Sequence, residues 1–317
     1  MAFLKILLLL RMLFASFWIF GVDAVRGLRV VRYGKTIADK LNICCWYLLL
    51  SRNPHLPWNN LSSISSTIDH ILTLLSEKTR CVMNGITFAL GEMSDIWVLD
   101  KSFEPWMDKF LKVKEGEVFL DVGAHIGKYT FQKAKEVGKN GLVIAIEPHP
   151  RNFMVLLKSI RENDFDNIVA FNVAAWNKNC EMELYSGRYS TLHSLKKSFQ
   201  EQQGYSSRAM PLKVKARRLD DVLKTVGVNV DWIKIDVEGA EKEALLGLEK
   251  TLGKSNPKIV IETWEFNPKQ LVELMGESGY VLGDIKTIGA GVDWIKAGVV
   301  PATSTYSYFY HNTTHED

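Results

Sequence analysis

Residues Glu117–Thr130 read EVFLDVGAHIGKYT. An apolar run, Val118, Phe119 and Leu120, ends in an acid, Asp121. Gly123 and Gly127 follow, and the pattern then turns helical. This is a buried strand, a tight turn and a helix start. Glycines at these places let the backbone approach a bound ligand closely. Gly127 opens a helix whose first amides point into the same crevice. The next apolar run, Leu142–Ile146, ends in Glu147, twenty residues beyond Gly127. An acid there can accept both hydroxyls of a ribose. The pattern predicts an adenosine-containing cofactor.

A dinucleotide-binding loop would carry G-x-G-x-x-G, with the pyrophosphate against the helix end. Here Asp121 precedes the first glycine, Ala124 and His125 occupy the loop, and the middle glycine is missing. An acid at Asp121 repels a pyrophosphate but suits a ligand with a cationic, amino-acid-like end. S-adenosyl-L-methionine has an ammonium and a sulfonium and no phosphate, so the loop favours it over a nicotinamide dinucleotide. An ordinary strand-turn-helix with glycines kept for packing is the plainer alternative.

The chain has 317 residues, 47% of them apolar, and a formal charge of +3. That length allows a full core and at most two domains. The charge is too small to imply nucleic acid. Cys44, Cys45, Cys81 and Cys180 show no metal spacing and no disulfide-rich density, which fits a reducing, cytoplasmic setting.

Strands alternate with helices from Glu117 onward, which implies an α/β fold with a mostly parallel sheet covered on both faces. The strands expected are Glu117–Leu120, Leu142–Ile146, Ile168–Val173, Trp232–Val237 and Lys258–Thr263, with Tyr280–Leu282 and Thr305–Tyr310 finishing the sheet. Alternate tyrosines (Tyr306, Tyr308, Tyr310) suit an edge or near-edge antiparallel strand. Glu181–Tyr185 and Leu212–Ala216 read as short strands flanking a polar loop. One helix is expected through Ala240, Ala244, Leu245, Leu248 and Leu252, and another through Ile64, Ile68, Ile71, Leu72 and Leu75. Ile86–Leu90 and Asp95–Leu99 read as a hairpin-like pair, and Phe103–Leu111 as helical. Residues 1–60 form an apolar and basic N-terminal arm, and residues 61–317 the folded domain.

Within the arm, Ile6–Val25 is almost wholly apolar, interrupted by Arg11 and Asp23. The length suits a membrane span, although Arg11 at mid-depth costs about 2.5–3.5 kcal/mol. A secretory leader and a helix lying in the membrane interface are the other readings. Arg26, Arg29, Arg32 and Lys35 follow, which keeps that flank cytoplasmic. The expectation is membrane contact through residues 5–25, spanning or surface-lying.

A second signature, WIKIDVEGAEKE, runs from Trp232 to Glu243. A buried strand ends in Asp236, with Glu238, Gly239 and Glu241 just beyond. Ligands in open parallel sheets sit past the carboxyl ends of the strands. Asp236 and Glu238 should therefore face the same crevice as Asp121 and Glu147, where acids do general-base work or hold a hydroxyl. They could also simply favour a helix N-terminus.

The DVGAHIGKYT loop, the IEPHPRN run (Ile146–Asn152) and IKIDVEGAE (Ile233–Glu241), in this order, resemble the FkbM family of methyltransferases. The resemblance spans about Cys81 to Glu265, and the KIDVEGAE run is its specific part. It implies a Rossmann-like class I methyltransferase fold: a mostly parallel seven-stranded sheet with helices on both faces, here preceded by an apolar helical arm. Members are adenosylmethionine-dependent, mostly O-methyltransferases acting on hydroxyls of sugars and natural products. By resemblance, Asp121, Gly123, Ala124, His125 and Gly127 hold the methionine end, and Glu147 with Pro148 the ribose. Asn172 and Ala174 border the adenine, and Asp236, aided by Glu238, lies near the transferred methyl. His125 departs from the family, which more often has Asn.

The acceptor implied is a small molecule, glycan or lipid-linked sugar with a free hydroxyl. His149 either touches the adenosine or caps the next helix. His193 sits in a polar loop, Ser186–Met210, that is either a lid or a plain insertion. Glu262 ends the next strand and is a candidate for the acceptor pocket. Carboxylates of Asp236, Glu238 and Glu262 suit a hard cation, but no spacing demands one and none is expected. A nicotinamide-dependent dehydrogenase and a non-catalytic, membrane-tethered binding protein are the alternatives.

Overall fold

Val118–Val122 (β3) alternates Leu120 and Val122 with Phe119, and all three are inaccessible to solvent. A strand apolar on both sides belongs inside a sheet with helices on both faces. The computed structural model describes residues 29–50, 73–101, 103–105, 107–186, 190–191, 193–202, 211–262, 268–282 and 306–311. They fall into two compact units, within Met1–Phe103 and Glu104–Asp317.

The first unit holds a helix, Ile37–Leu50 (α1), a hairpin of Arg80–Met83 (β1) and Ile86–Ala89 (β2), and a short helix, Asp95–Leu99 (α2). The hairpin turns at Asn84 and Gly85, both at positive φ (52° and 72°). An Asn-Gly pair matches the twist of a two-residue hairpin loop. The expected pairing of Ile86–Leu90 with Asp95–Leu99 is therefore corrected. The partner strand lies upstream, and Asp95–Leu99 is helical. The Asp95 carboxylate accepts the amides of Gly91 and Glu92 at 2.8 and 2.9 Å and folds the chain into a turn there.

In the second unit, Met107–Phe110 (α3) is a single turn, shorter than the helix expected over Phe103–Leu111. After β3 come Lys128–Val137 (α4), Leu142–Ile146 (β4), Pro150–Glu162 (α5), Ile168–Phe171 (β5), Ala174–Ala175 (β6), Cys180–Leu184 (β7) and Lys197–Gln202 (α6). Leu212–Arg217 (β8), Leu219–Val226 (α7), Trp232–Ile235 (β9), Glu241–Leu246 (α8), Glu249–Ser255 (α9) and Lys258–Glu262 (β10) follow. Pro268–Glu277 (α10), Tyr280–Leu282 (β11) and Tyr306–His311 (β12) complete the described elements.

The main sheet has seven strands in the order β11-β12-β10-β9-β3-β4-β5. β10, β9, β3, β4 and β5 run parallel, and β12 is antiparallel to both of its neighbours. The sheet is mostly parallel and seven-stranded, with the tyrosine-bearing strand one place from the edge. One face packs Leu120, Ile144, Ile233 and Ile259, and the other Phe119, Val143, Trp232 and Val260. The strand order reverses between β3 and β9, and the carboxyl ends beside such a reversal are where open parallel sheets hold ligands. β6, β8 and β7 form a separate small sheet.

The single helix expected through Leu252 is two helices. The Gly247 carbonyl accepts the Asp220 amide at 2.9 Å. The Asp220 carboxylate takes the amides of Lys250 and Thr251 at 3.0 and 2.9 Å, capping α9 from a neighbouring helix. The helix expected around Ile64–Leu75 and the arm before Arg29 lie largely or wholly outside the described residues. Among the described residues, no helix is long and apolar enough to cross a membrane.

Candidate active site

Four strand ends place four acids along the carboxyl edge of the parallel sheet: Asp121 from β3, Glu147 just after β4, Asp236 just after β9 and Glu262 from β10. Asp121 is buried. Its Oδ2 accepts the Thr130 hydroxyl at 2.6 Å, while Oδ1 has no hydrogen-bond partner. Burial raises its pKa, and Lys234 partly offsets that.

The two glycines serve the chain's own packing. Gly123 has φ +84°, and a Cβ there would lie 1.8 Å from the Asp236 carbonyl oxygen. At Gly127, φ +97°, a Cβ would meet the Phe131 ring at 2.4 Å and Leu156 at 2.7 Å. The plainer packing reading therefore holds for both, whatever else the loop binds.

His125 sits between them at φ 52°, in the left-handed region where Asn, Asp and His are the enriched non-glycine residues. Its amide donates to Glu147 Oε2 at 2.8 Å, and the His149 amide donates to Oε1 at 2.9 Å. Glu147 thus ties the loops after β3 and β4 together and also takes a hydrogen bond from the Asn152 side chain, which leaves about one of its four lone-pair sites. Burial pushes its pKa to about 7 against the pull of those amides. Asn172 donates to the carbonyls of Glu147 and Pro148 at 2.8 and 3.0 Å, bracing the same corner. Ala174 sits in the small sheet, buried with Leu184, Val214 and Ala216, so its side chain is used by that core.

On the other wall, Asp236 Oδ2 pairs with Lys234 Nζ at 2.9 Å. Lys234 is a buried lysine in an otherwise apolar strand. Burial alone would lower its pKa, but Asp236 and Asp121 more than offset that and raise it. Glu238 has φ 54°, so each wall carries one strained non-glycine residue, as functional loops often do. Glu241 is fully buried, and its Oε1 accepts the amides of Gly239 and Val237 at 3.1 and 3.3 Å, shaping the turn. Burial and then Asp236 lift Glu238 and Glu262 well above the usual carboxyl range. Sequence reasoning gave Lys234 and Glu241 no role; the signals were a charge inside WIKI and an acid three residues after Glu238.

The segment from Ser190 to Gln202 touches both walls. Ser190 Oγ lies 2.8 Å from His125 Nε2, and its carbonyl accepts from Asn152 at 3.0 Å. The His193 ring stacks on His149 at 4.0 Å. The Ser194 hydroxyl donates to the Glu238 carbonyl at 2.6 Å, Lys196 pairs with Glu243 at 3.3 Å, and Phe199 lies against Gly239.

Burial lowers the pKa of His149 to about 4 and of His193 to about 3, and their mutual proximity adds to the effect at His193. Both are neutral when folded. Their contribution is therefore complete above the ordinary value of 6.5 and is lost as pH falls from there toward 4 and 3. The opening equilibrium of residues 190–202, read from hydrogen exchange after correction for the intrinsic base-catalysed rate, should grow as pH falls from 6.5 to 5.5, by up to about tenfold per pH unit for each histidine. His193→Phe, which keeps a ring but cannot charge, should blunt the effect. An unchanged pH response in that variant would remove His193 as its source.

The profile of the methyltransferase FkbM domain matches residues 121–282, just over half of the chain. No curated protein matches it. Among solved structures, the methyltransferase FkbM from Methylobacillus flagellatus KT is similar at 16% identity and a TM-score of 0.43. The match covers 92% of this chain and 60% of that protein, so the chain spans less than two thirds of its length. A SAM-dependent methyltransferase from Aquifex aeolicus matches at 14% identity and a TM-score of 0.36, covering 68% of this chain and 92% of that one. M. jannaschii TYW2 in complex with AdoMet matches at 18% identity and a TM-score of 0.39, covering 74% and 87%.

Proposed function

The chain belongs to the FkbM methyltransferase family, and we propose that it moves a methyl group from S-adenosyl-L-methionine to a hydroxyl oxygen. The observation carrying this is two differently built groups of acids at the carboxyl ends of neighbouring strands. In the first, the partnerless Oδ1 of buried Asp121 suits an ammonium or sulfonium, and the remaining lone pair of Glu147 suits a ribose hydroxyl. Ala124, His125 and Pro148 flank these acids, and Asn172 holds the corner that would border the adenine. When bound, the cofactor supplies an electrophilic methyl on sulfur and leaves as a neutral thioether.

In the second group, Lys234 holds Asp236 in place, and Asp236 takes or orients the proton of the attacking hydroxyl. Glu238 and Glu262 complete the acceptor side. The Ser190–Gln202 segment excludes water, and alignment of two held reactants can supply about 7–11 kcal/mol of the barrier. Family membership displaces the nicotinamide-dependent alternative. The acceptor class we favour is a sugar, glycan or lipid-linked sugar. Residues 5–25, outside the described residues, would keep the enzyme at the cytoplasmic membrane face, which fractionation of the full chain with salt and then detergent would check.

Glu147→Ala is the direct test of the cofactor reading. It removes the ribose acceptor, worth about 1.5–3 kcal/mol for a charge-assisted bond, so calorimetry should show affinity for adenosylmethionine falling roughly tenfold or more. Unchanged affinity in a folded variant would take Glu147 out of the site.

A further inference from the structure

Beyond the cofactor, the acceptor wall carries a feature that proton transfer at Asp236 does not use. One oxygen each from Asp236, Glu238 and Glu262 lies within 4.8 Å of the other two. Glu262 is only 4% exposed, and its Oε2 has no hydrogen-bond partner. Glu238 Oε2 is likewise shielded from solvent without a partner. A buried carboxylate oxygen without a protein donor is costly to desolvate, and native structures keep such groups for a reason. Glu262 and Asp236 share a hydrogen bond, and of the three carboxylates the Lys234 ammonium pairs with Asp236 Oδ2.

We propose that Asp236, Glu238 and Glu262 form a divalent-cation site of the Mg²⁺ or Mn²⁺ class, whose open positions receive the acceptor hydroxyl. Three points no more than 4.8 Å apart share a centre at most about 2.8 Å from each. Side-chain shifts of a few tenths of an ångström bring that to the roughly 2.0–2.6 Å of hard-cation–oxygen bonds. All three ligands are oxygens, the donor set that such ions select. Three protein ligands leave several positions for water and substrate, the usual condition of Mg²⁺. The cation would acidify the bound hydroxyl. Its proton passes to a carboxylate of the cluster, the oxygen takes the methyl, and the sulfur keeps the electron pair of the broken bond. The role toward the hydroxyl rests on the methyl-transfer reading; the cation site does not.

The test titrates the chelator-treated full-length chain with Mn²⁺, following free Mn²⁺ by electron paramagnetic resonance. The expected result is one Mn²⁺ per chain, displaced by Mg²⁺. Binding should weaken tenfold or more in Glu262→Gln and in Glu238→Gln, and stay unchanged in Glu181→Gln on exposed β7. Glutamine keeps the size and removes a buried charge, and a melting curve with adenosylmethionine affinity confirms that each variant folds. Absence of Mn²⁺ binding in the wild type up to 1 mM-scale concentrations (about the upper end for weak oxygen sites), or binding equal in all four proteins, would overturn the site. Methyl transfer that persists undiminished after chelation would overturn the cation's part in the reaction. Failure of adenosylmethionine to bind would sink the methyl-transfer reading and leave the Mn²⁺ result standing.

Discussion

Asp236→Asn should lower turnover by about 10²-fold or more while adenosylmethionine affinity stays close to the wild-type value. The amide keeps the size of the carboxylate but cannot accept a proton from the acceptor. Asp236 also neutralises Lys234, which is only 2% exposed and 2.9 Å away. The variant should therefore melt earlier as well. The loss should be smaller than the roughly 3–5 kcal/mol of breaking a fully buried pair, since Asp236 is 23% exposed. Asp121 also remains to offset the ammonium. Measured below the melting range, turnover and stability separate: a structural role would move the second and spare the first. Near-normal turnover in folded Asp236→Asn would leave Asp236 as the partner of Lys234 only.

The parallel sheet was legible because its strands advertise themselves twice. Each is apolar on both faces, and β3, β9 and β10 end in or just before an acid, as does β4 before Glu147. Side-chain period and strand direction point the same way, so Asp121, Glu147, Asp236 and Glu262 all lie at the carboxyl ends of neighbouring strands. Local signals that depend on a distant partner were not legible. Asp220 caps α9 from across the sequence, which no spacing within Ala240–Leu252 reveals. Asp95 bends its own segment into a helix through two amides, although Ile96, Trp97 and Val98 have strand-like composition. The Asn84–Gly85 turn was a local signal and could have been read. Ala174 shows a further limit: the resemblance implied that it borders the adenine, while its side chain packs in the core of a second sheet.

Gly123→Ala should be the most damaging single methyl in the second unit, and Gly116→Ala shows why. The two glycines have almost the same left-handed φ, +84° and +85°. The conformational strain on an added Cβ is thus the same, about 1–2 kcal/mol. Their surroundings differ completely. At Gly116 a Cβ would find nothing within 4 Å, so Gly116→Ala should cost only that strain. At Gly123 it would meet the Asp236 carbonyl oxygen at 1.8 Å and its carbon at 2.9 Å. Backbone cannot step aside as a side-chain tip can. The loops after β3 and β9 must separate, which breaks the bond from the Asp236 amide to the Val122 carbonyl, 3.0 Å in the native chain. The cost should exceed about 4 kcal/mol, in the exceptional range for one substitution. That is a large part of the roughly 5–15 kcal/mol that holds a domain together. Urea unfolding of the two variants side by side measures the difference. Whatever Gly123→Ala protein folds should also have lost turnover, since the displaced residue is Asp236 itself. Equal stability losses in the two variants would mean that the loops part easily, and Gly123 would then be kept for a ligand's approach rather than for its neighbour's.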